Sequence, residues 1–384
     1  MSAATEGGGP IRVLLLCESL AVTGGVERFV CEMGDALAKR GMSVTLGTVD
    51  TPRERVIYPV DAAVRVASAG GRLPADTSRS RFGRALTILR TRCVVATALG
   101  RLIAAEHPDV IVFNGLVTAC SVLLLKRAAR ARSICCDHNH FTARSRLWQR
   151  LRAAIYPHVA AVVSLTEADL PKFAALNRNT RVVVNTSSLR ADAPALAEAP
   201  GVLAVGRLQA QKGFDLLLRA WCEVVRDLPQ ARLGIVGEGP LGAELGALAS
   251  ELGVASSVRF IAPTDRIETL YREAAVFVLS SRYEGMPLAL LEAQALGVPA
   301  VAFDCPTGPR EILNADTGIV VPAEDIAALA GAIVRLLRDP ALRARMASAA
   351  IARSRSVFSR ERQVGAWAAL IEEVAATVRA GAPA

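Results

Sequence analysis

The chain has 384 residues, 52% of them apolar, and a formal net charge of +9. That apolar share excludes a disordered chain and supplies core enough for two domains. The charge is one-sided: residues 1–190 hold 26 Lys and Arg against 14 Asp and Glu, a net of +12, while residues 191–384 hold 19 against 22, a net of −3. A basic first half predicts an acidic partner for that half, either an anionic membrane surface or a phosphorylated substrate.

The first ten residues, "MSAATEGGGP", lack the basic start and apolar stretch of an export signal and read as a loose tail. "IRVLLLCES" follows as a continuous apolar run, the pattern of a strand buried on both faces. In "TGGVERFVCEMGDALAKRG", Val26, Phe29, Val30, Met33 and Leu37 recur at helical spacing, and Gly41 is placed to end the helix. "SVTLGTV", "DVIVFNG", "SICCDH", "AAVVSLT" and "TRVVVN" are the next strands, separated by helix-length stretches. Val110 to Leu125 spans only 16 residues and contains Asn114, Gly115, Thr118 and Ser121, so it reads as strand, loop and core helix rather than as a membrane span. The eight cysteines form no C-x-x-C pair and no zinc spacing, which predicts buried thiols in a reducing cytosol.

"FTARSRLWQRLRAAIY" predicts a basic amphipathic helix, with Leu147, Trp148, Leu151 and Ile155 on one side and Arg144, Arg146, Arg150 and Arg152 around it. "RLPADTSRSRFGRALTILRTR" adds further arginines. Such a segment suits the surface of an anionic bilayer, or else packs on its own domain as an ordinary solvated helix.

Residues 186–200, rich in Ser, Pro and Ala, interrupt the alternation, which restarts with "VLAVGR", "RLGIVGEG", "VRFIAP", "VFVLSS", "PAVAFD" and "GIVVP". Strands alternating with helices in both halves predict an α/β protein of two doubly wound, Rossmann-like parallel-sheet domains facing across a ligand cleft. The expected boundaries are 1–190 for the first domain, 191–200 for the linker and 201–355 for the second domain. Residues 356–384 are expected to form a terminal helix that packs on the second domain or crosses back to the first.

Three segments of the second half carry candidate chemistry. "VGRLQAQKGFD" puts Arg207 and Lys212, one of only four lysines, between a strand and a helix, where two cations can converge on a diphosphate. "GIVGEGPLGAEL" sets Gly237, Gly239 and Pro240 directly after a strand, either for close backbone approach to a ligand or for a tight turn. "SSRYEGMPLALLEAQALGVP" predicts a buried helix over 287–296 with Glu292 at its centre and Glu284 in the loop before it. A buried carboxylate needs hydrogen-bond donors. These come either from a ligand's hydroxyls or from the protein, with Glu284 capping the helix and Glu292 paired to a core Arg. The N–H groups near Met286 and Leu288 are suited to an anion; Pro287 has none to offer.

Taken in order, "VGRLQAQKGFD", "VGEGP", "SSRYEGMPLALLEAQALGVPAVAFDCPTGPREIL" and "DTGIVVPAEDIAALAGAIVRLL" resemble the retaining, nucleotide-sugar-dependent glycosyltransferases of the GT-B fold, the family called glycosyl transferases group 1. "GGVERFVCEMGDALAKRGMSVTL" resembles the acceptor-domain segment of the same family. The resemblance implies that the first domain binds the acceptor and the second the donor, with no cofactor beyond the nucleoside-diphosphate sugar, and the lack of an Asp-x-Asp cluster at a strand end predicts transfer without a metal. It implies that Arg207 and Lys212 hold the donor diphosphate, that Glu284 contacts the transferred sugar as the first acid of an E-x7-E motif, and that Glu292 holds the ribose as the second. Gly237, Gly285, Met286 and Leu288 belong to the same donor site. Gly24 and Gly25 match a glycine loop that admits donor and acceptor, and His138 (or His140, two residues on) matches a histidine near the reacting sugar. Ala262 stands where the family usually has glycine, which bears on the nucleotide-base pocket. The basic first half then suggests a lipid-linked or glycan acceptor in envelope polysaccharide assembly, handled by a cytoplasmic enzyme at the inner face of the membrane. A nucleotide-sugar epimerase shares the two-domain shape, but the E-x7-E segment argues for transfer. Nucleic acid is excluded as a partner by the scarcity of aromatics, 4% of the chain.

Overall fold

A computed structural model describes residues 9–71, 81–194 and 201–381. Most of the tail, the start of the Arg-rich stretch after Gly71 and residues 195–200 of the expected linker lie outside the described residues. The chain divides into two compact units. The first takes residues up to Leu165, Asp169–Val183 and the chain from Val364 onward, and the second takes Thr166–Ala168 and Val184–Gln363.

The first unit is built on β1 (Arg12–Leu16), β2 (Ser43–Thr48), β3 (Arg65–Ser68), β4 (Val110–Asn114), β5 (Ser133–Cys136), β6 (Ala161–Ser164) and β7 (Thr180–Val182). They pair in the order β3-β2-β1-β4-β5-β6-β7, every pairing parallel, with Leu16 level with Gly47 on one side and Phe113 on the other. The central strands read as unbroken apolar runs because both of their faces are covered; every residue of β4, β5 and β6 is buried. Sequence reading missed β3. It is a four-residue edge strand with one buried residue, and has no apolar run to announce it.

Helix Gly25–Ala38 buries Phe29, Val30, Met33 and Leu37, and the chain turns at Gly41, whose φ of +87° suits glycine. The run Val110 to Leu125 divides at Gly115 into β4 and helix Leu116–Leu125. Among the described residues no helix is long and apolar enough to cross a membrane. Helix Arg360–Gly381 buries the stripe Val364, Trp367, Ala368, Ile371 and Val374 within the first unit, where the Trp367 and Phe29 rings lie 5.8 Å apart and Glu373 pairs with Arg181.

Helix Arg146–Ile155 forms with its apolar side on its own domain, one of the two expected readings, and the structure corrects only the placement of Arg152. Trp148 and Leu151 pack on the domain's own core and Ile155 is fully inside it, leaving only Leu147 of the four apolar residues exposed. Arg152 is not a surface cation. It is 1% exposed, donates to Asp137 at 3.1 Å and to the Phe141 carbonyl at 2.7 Å, and lies 3.5 Å from the centre of the Phe141 ring.

The second unit carries β8 (Gly201–Val205), β9 (Arg232–Val236), β10 (Val258–Ile261), β11 (Val276–Leu279), β12 (Ala300–Phe303) and β13 (Gly318–Val321). All are parallel, in the order β10-β9-β8-β11-β12-β13. Helix Leu288–Ala295 begins just after Pro287, which stands at its N-cap, and ends before Gly297 at φ +70°. Parallel strands bring the loops after β8, β9 and β11 to one edge of the sheet, where open α/β sheets bind ligands.

Candidate functional site

In the second unit, the segment after β8 runs through the 3-10 turn Ala210–Lys212 into helix Phe214–Asp227. Gly213 makes the joint. Its φ is +61°, and a β-carbon there would sit 2.1 Å from the Ser280 carbonyl oxygen, so the segment lies directly against the end of β11. Ser280 donates to the Lys212 carbonyl at 2.9 Å. Arg282 adds a two-pronged pair to Asp215 at 2.9 and 2.7 Å and a bond to the Ala210 carbonyl, which holds the Asp215 carboxyl below its usual range. Gly237, at φ +146°, closes the segment from the other side, since a β-carbon there would meet the Gly206 carbonyl at 2.0 Å.

This frame aims two charges at each other. The Lys212 ammonium donates to Glu284 Oε1 at 2.7 Å, and the Ser281 hydroxyl donates to the same oxygen at 2.6 Å. Thr307 donates to the Glu284 carbonyl at 2.5 Å, so backbone and side chain of Glu284 are both fixed. Glu284 is 5% exposed, and Gly285 and Met286 are also buried. The carboxylate therefore does not cap the helix that follows, whose N-cap makes no side-chain hydrogen bond. Arg207 is exposed on the same segment, and among the described residues its side chain has no hydrogen bond or ion pair.

Glu292 is also buried, and its Oε2 accepts a 2.8 Å bond from the hydroxyl of Tyr271, a fully buried residue of helix Ile267–Glu273. A phenol of the protein is thus one donor to Glu292. Tyr271, Ser281 and Arg282 were missed by sequence reasoning. Tyr271 stands 21 positions from Glu292 and Arg282 stands 67 from Asp215, separations with no local period, whereas Ser281, three residues before Glu284, stood with Arg282 inside a segment already singled out.

In the first unit, His138 follows β5 by two residues and its Nε2 lies 3.1 Å from Asn114 Oδ1. The Phe29 ring lies 4.9 Å from the imidazole. Burial lowers the His138 pKa to about 4, so the ring is neutral at pH 7. His140 lies in the following loop and its Nδ1 is 3.1 Å from the Thr142 hydroxyl. Gly24 caps helix Gly25–Ala38 in extended conformation and donates to the Tyr58 hydroxyl at 3.2 Å. A β-carbon at Gly24 would come within 2.1 Å of the Glu27 carboxylate, which folds back over it. No disulfide forms: all eight cysteines are free, and burial pushes the thiols of Cys31, Cys120 and Cys305 up to about 12.

Residues 24–187 match the family model described as "Glycosyl transferase 4-like domain", and residues 187–353 match "Glycosyl transferases group 1". The amylovoran biosynthesis glycosyltransferase AmsD of Erwinia amylovora is 30% identical over 88% of this chain and 93% of its own length. The chain belongs to the group 1 glycosyltransferases. The lipopolysaccharide core biosynthesis glycosyltransferase LpsE of Rhizobium meliloti is 27% identical to this glycosyltransferase over 91% of this chain and 96% of its own. A solved structure of Anabaena HepE in complex with UDP and glucose superposes with a TM-score of 0.70 at 19% identity, covering 96% of this chain and 100% of that one. The fold of this glycosyltransferase is GT-B, two parallel-sheet α/β domains in one chain.

Proposed function

We propose that this glycosyltransferase moves a sugar, with retention at the anomeric carbon, from a nucleoside-diphosphate sugar to an envelope glycan or lipid-linked acceptor. The observation that carries the reading is the Lys212–Glu284 pair at 2.7 Å, held in a rigid loop frame with an exposed Arg207 on the same segment. Charge develops on the departing diphosphate, and Arg207, Lys212 and the N-terminus of helix Leu288–Ala295 are the groups that stabilise it. In this reading Glu284, beside Lys212, contacts the transferred sugar, Glu292 holds the ribose, the Gly24–Gly25 turn serves donor and acceptor, and His138 serves the reacting sugar. The leaving group's charge is met by protein cations, so no divalent ion is required. The UDP and glucose bound to the Anabaena structure support a nucleotide-sugar donor, and the biosynthetic roles of the relatives support an envelope glycan product.

A panel of nucleoside-diphosphate sugars tests the reading. One of them at about 100 times its Kd is expected to raise the melting temperature by roughly 5 °C or more. The same compound should release free nucleoside diphosphate only when acceptor is present, and do so in EDTA. A panel with no stabilising member, or sugar isomerised without release, would overturn it.

Attachment to an anionic membrane is the second part of the proposal, and its residues lie on the two basic segments the sequence singled out. Leu86, Ile88 and Leu89 of helix Arg81–Glu106 and Leu147 of helix Arg146–Ile155 are 39–63% exposed, with Arg90, Arg144, Arg146 and Arg150 also exposed on these segments. Exposed leucines with arginines suit the boundary between acyl chains and anionic headgroups. The parent protein is expected to float with anionic but not zwitterionic vesicles, and a variant with Leu86, Ile88 and Leu89 all changed to Ser should stay behind. Equal recovery of the parent in the soluble fraction with both vesicle types would remove the idea.

A further inference from the structure

We infer that Asn114 is a positioning residue for His138: it locks the imidazole in the tautomer protonated at Nε2 and leaves Nδ1 as a hydrogen-bond acceptor for the substrate. The inference rests on the reading that assigns His138 to the reacting sugar, and it deepens that reading by naming what sets the ring.

The geometry fixes the direction of each bond. Asn114 ends β4, one residue before Gly115, and its Nδ2 donates to the Leu16 carbonyl at 3.2 Å, at the carboxyl end of β1. A backbone carbonyl only accepts, so the amide nitrogen must face Leu16. The turned amide would set two oxygens against each other in a buried place, since Asn114 is 6% exposed. Asn114 Oδ1 is therefore the atom that faces His138 Nε2, and an amide oxygen accepts only. His138 Nε2 must carry the proton. In a neutral ring the other nitrogen is then an acceptor.

The surroundings keep the ring neutral and still. Phe29 packs on it, and the Trp367 ring backs Phe29. The neighbouring carboxylate, Asp137, is turned away into its own contacts with Arg152 and Tyr156. No charged side chain contributes to the lowered pKa of His138, which follows from burial. A neutral imidazole accepting at Nδ1 is suited to orienting a sugar hydroxyl, not to donating a proton to a leaving group.

The test needs no substrate in its first arm. Nitrogen-15 spectra of the ring in the parent protein are expected to show His138 protonated at Nε2, with a titration midpoint near 4. In Asn114→Asp the carboxylate should favour the imidazolium and raise that midpoint by roughly 1–3 pH units. In Asn114→Ala the Nδ1-protonated tautomer should appear, and transfer should fall roughly 10- to 100-fold, the usual cost of removing a partner that orients a functional histidine. That loss should fall on kcat, with the KM for donor little changed. A parent ring protonated at Nδ1, or a midpoint that Asn114→Asp leaves in place, would overturn the inference whether or not the variants transfer sugar. A changed tautomer with undiminished transfer would overturn the link to catalysis. Should neither variant fold, the parent spectrum alone decides the tautomer.

Discussion

Lys212→Ala is expected to lower kcat by roughly 100- to 1000-fold, the range for removing one preorganised donor from a site of developing charge. The fold should survive the change. The segment carrying Lys212 is held by its backbone, through Gly213 against Ser280, the Ser280 hydroxyl on the Lys212 carbonyl, and Arg282 on Asp215 and Ala210. None of these uses the Lys212 ammonium. Glu284 loses its cation but keeps the Ser281 hydroxyl, so one neutral donor still holds its carboxylate in the variant. Arg207→Ala makes the contrast. Its side chain is exposed and, among the described residues, has no partner, so its loss should leave Glu284 untouched and appear mainly in transfer kinetics. Steady-state rates with saturating donor, alongside a melting curve for each variant, check both expectations. A Lys212→Ala enzyme with near-parental kcat would remove Lys212 from the chemistry.

Much of the fold was legible because burial on both faces leaves its mark in consecutive residues. "IRVLLLC" and "VFVLSS" announce β1 and β11 without any partner in view. Edge strand β3 left no such mark, since only one of its four residues is buried. The candidate site was legible as residues and not as bonds. Lys212 and Glu284 stand 72 positions apart, and nothing in either segment says that the cation will rest on that carboxylate. Glu292 drew attention because it is charged inside an apolar helix. Its donor, Tyr271, lies 21 positions earlier on another helix, where a tyrosine gives no reason to expect a carboxylate partner. Arg152 of the basic helix was misplaced for a related reason. Polarity at helical spacing identifies an arginine as surface-facing, yet Arg152 finds Asp137 at the end of β5, a meeting only tertiary packing can make.

That internal pair supports the largest stability effect expected here. Arg152→Met should destabilise the first unit by about 3–5 kcal/mol, because it leaves a buried carboxylate without its cation. Asp137 is 6% exposed and retains only the Tyr156 hydroxyl, 2.5 Å away, among the side-chain partners the structure gives it. Burial already raises its pKa in the parent, with Arg152 opposing the rise. Without the guanidinium the carboxyl must rise further above its unfolded value. The folded state of the variant then binds the proton more tightly than the unfolded state does, so stability falls as pH climbs from the unfolded carboxyl pKa through the raised one. The deficit should therefore be smallest in acid and fully present at neutral pH. Changing Asp137 to Asn in the same chain removes the charge and should restore part of the loss. Calorimetry across pH 4–8 can follow it, with the first unit's transition expected roughly 10 °C lower at pH 7. If Arg152→Met melts with the parent at neutral pH, Asp137 is not relying on Arg152, and the arginine belongs with the solvated cations of its helix after all.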